Sequence, residues 1–344
     1  MRLSEFDYEL PAELIAQQPL AERDASRMLV LDRAAQTWTD SSFKNFVDFV
    51  REDDVVVVNN SRVIPARLKG RRERTGGQVE IFLVRELEPK VWEALVRPGG
   101  RLKKDSRIVF GDGQLSAEIV DERGSELRRV RFHSERPFDD LLEGIGVTPL
   151  PPYIKRTIDT SADDRERYQT VYAKQRGAIA APTAGLHFTP AVVEEIKQRA
   201  SLAEVTLHVG YGTFEPVRVD DVDQHTVSAE RFEISEVTAQ KINKAKQRGG
   251  RVIVVGTTTM RALESSATET GEVHAGAGEA TLTIKPGYKF RVADALLTNF
   301  HLPQSSLLIL VSAFAGREFV LNAYRHAVDE RYRFYSYGDC MLIL

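Results

Sequence analysis

Cysteine is almost missing from these 344 residues: Cys340 stands alone, so an intrachain disulfide and any zinc or iron–sulfur site built from several thiolates are excluded. Long apolar runs are missing too. The longest, Leu307 to Ala315, is too short to cross a bilayer, and no membrane partner is expected. The opening MRLSEFDYEL lacks the basic-then-apolar pattern of a secretory signal, which makes a cytoplasmic location the expectation. There is no GxxxxGK[ST], no HExxH, no GxSxG and no GxGxxG after a strand, so the usual nucleotide, zinc-protease, hydrolase and dinucleotide fingerprints do not apply. His187, His208, His225 and His301 have no close ligand spacing and no accompanying thiolates; no metal is expected.

An excess of charge is also absent overall, with 47 Lys+Arg against 50 Asp+Glu and a formal net charge of −3. The distribution is uneven. Between Ala66 and Arg131 the chain carries 16 Lys+Arg against 11 Asp+Glu, which leaves −8 for the remainder. That asymmetry suits a local phosphate-binding face, although a mixed, solvated β surface has the same composition. A hydrophobic content of 42% with 28% charged residues is that of an ordinary globular protein, and the length points to two domains or three.

What is present has two textures. From about 66 to 132, short β-prone runs (79–84, 91–96, 107–110, 115–120 and 127–132) alternate with turn signals such as Gly76-Gly77, Pro98-Gly99-Gly100 and Gly111-Asp112-Gly113. This spacing predicts a small barrel or sandwich. Elsewhere strands lead into helices. VVVVNN (55–60), GAIAA (177–181), AEVTLHV (203–209), RVIVV (251–255) and DALLTNF (294–300) read as strands. Thr189 is placed to cap a helix with Pro190 in its first position and Val192, Val193 and Ile196 facing inward. REFVLNAYRHAVDERY (317–332) has an amphipathic helical period, and the chain closes on a last strand. The pattern predicts an α/β layer or barrel formed by 1–65 and 133–344, interrupted by an inserted all-β domain, 66–132.

Polar and glycine-rich stretches recur at the ends of apolar runs: Asn59 to Arg62, Pro182 to Phe188, His208 to Phe214, Gly256 to Arg261, Thr298 to His301 and Ser336 to Asp339. Strand ends on one rim are where α/β folds build ligand sites, so these six are expected to share one pocket. Imidazoles there suit proton transfer, because they titrate near working pH.

NNSRVIPARL (59–68), AAPTAGLHFT (180–189), HVGYGTFEPV (208–217), VGTTTMRALES (255–265), TNFHLPQSSLL (298–308) and YRFYSYGDCMLI (332–343) together resemble the S-adenosylmethionine:tRNA ribosyltransferase-isomerase family of queuosine biosynthesis. FDYELPAELIAQQPL near the start and LPPYIKR (150–156) match as well, so the resemblance spans essentially the whole chain. It implies a barrel-like α/β main domain with an inserted small β-barrel. It also implies that S-adenosylmethionine is consumed as a ribosyl donor, with no further cofactor. The acceptor would be 7-aminomethyl-7-deazaguanine at the wobble position of tRNA, and the products epoxyqueuosine-tRNA, adenine and methionine.

On that reaction a base takes a C5′ proton acidified by the sulfonium, and an acid assists departure of adenine. His187 and His301 are the candidates, with His208 behind them. Asp339 and Glu264 are carboxylates suited to a cationic group or to tuning an imidazole. Arg62 and Arg261 suit the methionine carboxylate or a phosphate, and Tyr335 and Tyr337 suit stacking on a base. Asn59, Asn60, Thr183, Gly185, Phe188, Gly210, Thr213, Phe214, Thr257, Thr258 and Asn299 complete the expected substrate-binding set. Arg71, Arg72, Arg101, Lys103 and Lys104 form the expected RNA-binding set on the insert.

Each has a plainer structural role to set beside it: a buried hydrogen bond for His208, an ion pair with Glu264 for Arg261, a turn for Asp339. The sequence departs from the family where His225 is followed at the position of a second histidine by Ser228, which argues further against a metal. Two other readings fit parts of the chain: a non-catalytic RNA-binding protein, and an S-adenosylmethionine-dependent RNA methyltransferase, whose glycine-rich first loop is not seen. Oligomeric state is left open.

Overall fold

The computed structural model describes residues 1–99, 102–121, 127–156, 162–210, 212 and 216–344. Four parallel strands make the centre of its main sheet, in the order Ser201–Leu207, Val55–Asn59, Val252–Val255 and Ala295–Asn299. Beyond the first lie Glu230–Ile234 and Gly276–Ala280, each antiparallel to its neighbour. Beyond the last lies Cys340–Ile343, also antiparallel, followed by Arg27–Asp32 and Thr37–Ser42.

The nine-stranded sheet therefore has two ends and stays open. Of the α/β layer or barrel that the sequence pattern allows, the described strands form the layer, an open mixed sheet; the barrel-like form is implied by the resemblance. Apart from Trp38, which packs on the core, its edge strands TWTDSS and GAGEA are polar or small and half-buried to exposed, which suits an edge and not a closing seam.

Val55, Val56, Val57 and Val58 are all fully buried because side chains alternate between two covered faces. Val55 and Val57 join Val205, Val254, Leu296 and Met341 under the helices Glu236–Gln247, Thr257–Ser266, Ser306–Ala315 and Arg317–Asp329. Val56 and Val58 join Ile253, Val255, Leu297 and Leu342 on the other face, where Val192 and Ile196 of the helix Pro190–Arg199 pack. Thr189 caps that helix, its Oγ1 accepting from the Val192 N–H at 3.2 Å.

The strands Arg67–Arg72, Gln78–Glu88, Val91–Arg97, Arg107–Phe110, Leu115–Ile119 and Leu127–His133 close into a separate barrel. Leu68, Ile81, Ala94, Ile108, Ala117 and Val130 fill it, and Phe138, Leu141 and Leu142 of the helix Phe138–Ile145 join the same core. No single helix in the described residues is long and apolar enough to cross a membrane.

The starts of three central strands are fastened by one residue, Asp54, through its carboxylate and its backbone carbonyl. Asp54 is 1% exposed and accepts from the N–H of Arg51 at 2.9 Å, the N–H of Arg251 at 2.8 Å and the Arg251 guanidinium at 2.6 Å, while its own carbonyl accepts from Ser201 N–H at 3.1 Å. Burial pushes the carboxyl up, but the guanidinium and the two backbone N–H groups outweigh burial and hold it below its ordinary 3.8. Asp54→Ala leaves the guanidinium and two N–H groups without their acceptor, and a loss of about 3–5 kcal/mol in urea unfolding is expected. The parent's contribution from this group is present above pH 3.8 and is lost as pH falls through the lowered folded value. An Asp54→Ala loss that stayed the same at lower pH would contradict this account.

Candidate active site

Strand direction decides what meets at the rim. The parallel strands end there at Leu207, Asn59, Val255 and Asn299. Two antiparallel strands bring their amino ends to the same edge: Glu230 lies beside the end of Ser201–Leu207, and Cys340 pairs with Asn299, while Gly276–Ala280, reversed once more, brings its carboxyl end, Ala280, to Glu230. Ser336 to Asp339 thus reach the rim by preceding a strand, and Ala180–Ala184 reach it after Gln175–Ala178, which pairs with Ser61–Val63 in a separate two-stranded sheet.

A cavity of about 480 Å³ opens there. Its wall takes residues from Ala180–Ala184, Gly256–Thr258, Thr298–Ser306 and Tyr335–Ser336, with Arg261, Glu230, His225, Tyr153 and Tyr168. Of the expected site residues it gathers Thr183, Thr257, Thr258, Arg261, Asn299, His301 and Tyr335. His301 is 8% exposed; its Nε2 lies 2.9 Å from the Thr298 hydroxyl, its N–H donates to Tyr324 Oη, and its carbonyl accepts from Tyr8. Burial lowers its pKa to about 3, so the imidazole is neutral at working pH.

Tyr335 holds φ +75, an uncommon conformation for a bulky residue. Its backbone is clamped by Phe300 and Asn299, whose carbonyl and Nδ2 bond its N–H and C=O at 3.1 and 2.8 Å. Its ring meets Tyr153 edge to face at 3.9 Å. Strain sustained by such a clamp is a common mark of a functional loop.

Other expected residues lie behind the wall. His187 is buried on the far side of Asn299, with Nδ1 2.9 Å from Ser26 Oγ and Nε2 3.2 Å from Asn299 Oδ1. It faces a second, far smaller cleft of about 20 Å³, which Tyr337 also lines. Asp339 accepts from the N–H groups of Arg27 and Arg333 at 2.9 and 2.8 Å and pins the final strand to its neighbour. Glu264 accepts from three consecutive N–H groups, Arg291 to Ala293, and from Tyr288 Oη. Its expected pairing with Arg261 does not form; Arg261 pairs with Glu230 and donates to the carbonyls of Ser228, Ala280 and Leu282.

Asn59 and Asn60 tie strand ends to Leu207, Glu204 and Thr206. Phe188 is core, packed on Phe43 and Phe46, and Gly210 donates its N–H to Glu230. Gly185 makes room for protein: a Cβ there would lie 2.1 Å from Tyr172 Oη. His208 packs over Gly177, and Arg62 is exposed, both away from the cavity lining. Thr213, Phe214 and Arg101 lie outside the described residues.

On the barrel, Arg71 and Arg72 pair with the start of Arg107–Phe110, just after exposed Lys103 and Lys104. These four therefore share one end of the barrel. The opposite end of the strand Arg67–Arg72 bonds Val147 of the main body. Among the described residues no group of three or more His, Cys, Asp or Glu is gathered for a metal.

A family profile described as queuosine biosynthesis protein matches residues 3–343. The S-adenosylmethionine:tRNA ribosyltransferase-isomerases of Natranaerobius thermophilus and Pelotomaculum thermopropionicum are 51% and 50% identical, each over 345 aligned residues covering 100% of this chain and 99% and 100% of theirs. The crystal structure of S-adenosylmethionine tRNA ribosyltransferase from Thermotoga maritima is 39% identical with a TM-score of 0.56, covering 99% of this chain and 100% of that one. The chain belongs to the queuosine biosynthesis family.

The expected site set leaves out Glu230, His225 and Tyr153, which the cavity includes, although His225 is weighed there only for a metal and Tyr153 stands within LPPYIKR. Glu230 opens an antiparallel strand, where a search of strand carboxyl ends does not look. The only local signal was the alternation in ERFEI that marks a strand at all.

Burial lowers the pKa of His187 to about 4, and both its nitrogens are engaged in the neutral form. Below pH 6.5 the unfolded chain takes up protons that His187 and His301 refuse, so stability falls as pH drops toward 4. Each imidazole adds a slope of up to about 1.4 kcal/mol per pH unit. Urea unfolding of His187→Gln at pH 7, 6 and 5 should show a shallower decline than the parent by that amount; equal declines would mean that His187 titrates freely.

Proposed function

We infer that this chain is an S-adenosylmethionine:tRNA ribosyltransferase-isomerase. It transfers the ribosyl portion of S-adenosylmethionine to the aminomethyl group of 7-aminomethyl-7-deazaguanine in tRNA and isomerises it, releasing adenine and methionine. The observation that carries the reading is the convergence of separate strand-end segments on one cavity of small-molecule size in a chain of this family.

The cavity suits the reaction in three respects. A neutral, desolvated imidazole, His301, lies in its wall, which supports its assignment as the base. A sulfonium nearby acidifies the C5′ protons and, being cationic, keeps that imidazole unprotonated until it takes one. Tyr335 and Tyr153 offer aromatic faces to adenine or to the acceptor base. Arg261 and Glu230 neutralise each other at the wall, so a substrate that is cationic at sulfur meets no net charge from this pair.

His187 acts through Asn299, holding the amide whose Nδ2 clamps the Tyr335 loop. It is a positioning residue in this scheme. The basic end of the barrel, Arg71, Arg72, Lys103 and Lys104, takes phosphates of the tRNA away from the reacting base.

Incubation with S-adenosylmethionine and tRNA bearing the aminomethyl base should yield free adenine and a ribosyl-derived mass gain on that base. A methyl-sized gain, or tight tRNA binding without turnover, would overturn the reading. His301→Ala keeps the backbone bonds to Tyr8 and Tyr324 and should lower kcat by about 10²–10⁴-fold. With the imidazole's pKa near 3, the parent should show no acid limb from this group between pH 8 and 5. A limb near 6.5 that vanished in His301→Ala would contradict the desolvated-base assignment.

A further inference from the structure

The helix Thr257–Ser266 begins in the cavity wall without a side-chain cap. Its cap position is Gly256, at φ +88 and ψ 150, a backbone conformation that side-chain-bearing residues rarely adopt. The first bond back into the helix is from the Met260 N–H to the Gly256 carbonyl at 3.1 Å. The N–H groups of Thr257, Thr258 and Thr259 precede it and have no acceptor within the helix. Thr259 turns its hydroxyl away, donating to the Val255 carbonyl at 2.7 Å. Thr258 does not: it is 9% exposed, lines the cavity, and its buried Oγ1 has no hydrogen-bond partner among the described residues. That hydroxyl lies close to the helix start, 3.8 Å from where a Cβ on Gly256 would stand.

A buried hydroxyl beside three N–H groups that have no acceptor among the described residues, at a positive helix end, is an incomplete anion site. The guanidinium in the same wall does not fill that need. Arg261 is committed to Glu230 and to three carbonyls, and an anion drawing it away would deprive the buried Glu230 carboxylate of its guanidinium. The sequence offered Arg261 for the methionine carboxylate; the structure offers the helix end.

We propose that the first turn of Thr257–Ser266, with the Thr258 hydroxyl, holds the α-carboxylate of the donor's methionine portion. The assignment rests on the ribosyltransferase reading and deepens it. A carboxylate here accepts from the Thr258 hydroxyl and from N–H groups of the turn, completing the orphaned partners. Gly256 is then required twice over, for its φ and because a capping side chain would compete for the same N–H groups.

The test uses S-adenosylhomocysteine, which lacks the reactive sulfonium, and its decarboxylated analogue, titrated calorimetrically into the full chain with saturating tRNA. The carboxylate should be worth about 10- to 100-fold in affinity to the parent. Thr258→Val should weaken S-adenosylhomocysteine about 10-fold and leave the decarboxylated analogue unchanged, whereas Thr258→Ser should behave as the parent. Equal affinity of the two analogues for the parent, or equal weakening of both by Thr258→Val, overturns the carboxylate site and leaves the ribosyltransferase reading standing. Weaker tRNA binding by Thr258→Val with analogue binding unchanged assigns the turn to a phosphate and also overturns the proposal. Failure of both analogues and of S-adenosylmethionine itself to bind overturns both readings.

Discussion

The direction of each strand in the main sheet is the constraint from which the site follows. Ser201–Leu207, Val55–Asn59, Val252–Val255 and Ala295–Asn299 are parallel, so four carboxyl ends share one edge. Both faces of the sheet are consumed by side-chain burial, as the four consecutive buried valines 55–58 require. Neither face has room for a ligand, and the Asp54 fastening closes the opposite edge. The carboxyl rim is what remains. Antiparallel neighbours then add their own contribution, delivering Glu230 and Ser336 to the place where the parallel strands stop.

The same logic explains which parts could be read in the residues. Strand and helix periods are local, so the valine runs, the Thr189 cap and the closely spaced β segment were legible. The closing of that segment into a barrel, implied by the family resemblance, is borne out. Strand direction is non-local, which is why the main layer's openness and the arrival of Glu230 at the rim were not. At side-chain level the ambiguity is sharper. A polar residue at a strand end has two uses: facing the ligand space, or fastening the loop that surrounds it. Asn299 does both, lining the cavity and bonding Tyr335. Asp339 and Glu264 fasten only, each accepting backbone N–H groups from segments that local sequence does not bring together. Gly185 illustrates the limit: an absent Cβ leaves space, and only the fold says that Tyr172 fills it.

The cavity's electrostatics are unusual for a site expected to take a cation and move protons. Its ion pair is internal, and its imidazole is neutral by desolvation. Fixed dipoles and aromatic faces are left to orient the ligand, and these cost no reorganisation as charge moves during reaction. If His301 is the base, as proposed, one proton serves two steps. The imidazolium formed by removing a C5′ proton is a strong acid in so dry a pocket, because the burial that lowers its pKa to about 3 works against holding the charge. On the proposed reaction the departing adenine becomes basic as its bond to the sugar breaks. A proton held so weakly by His301 is readily given to that leaving group. Burial, which weakens His301 as a base, strengthens it as the acid that follows.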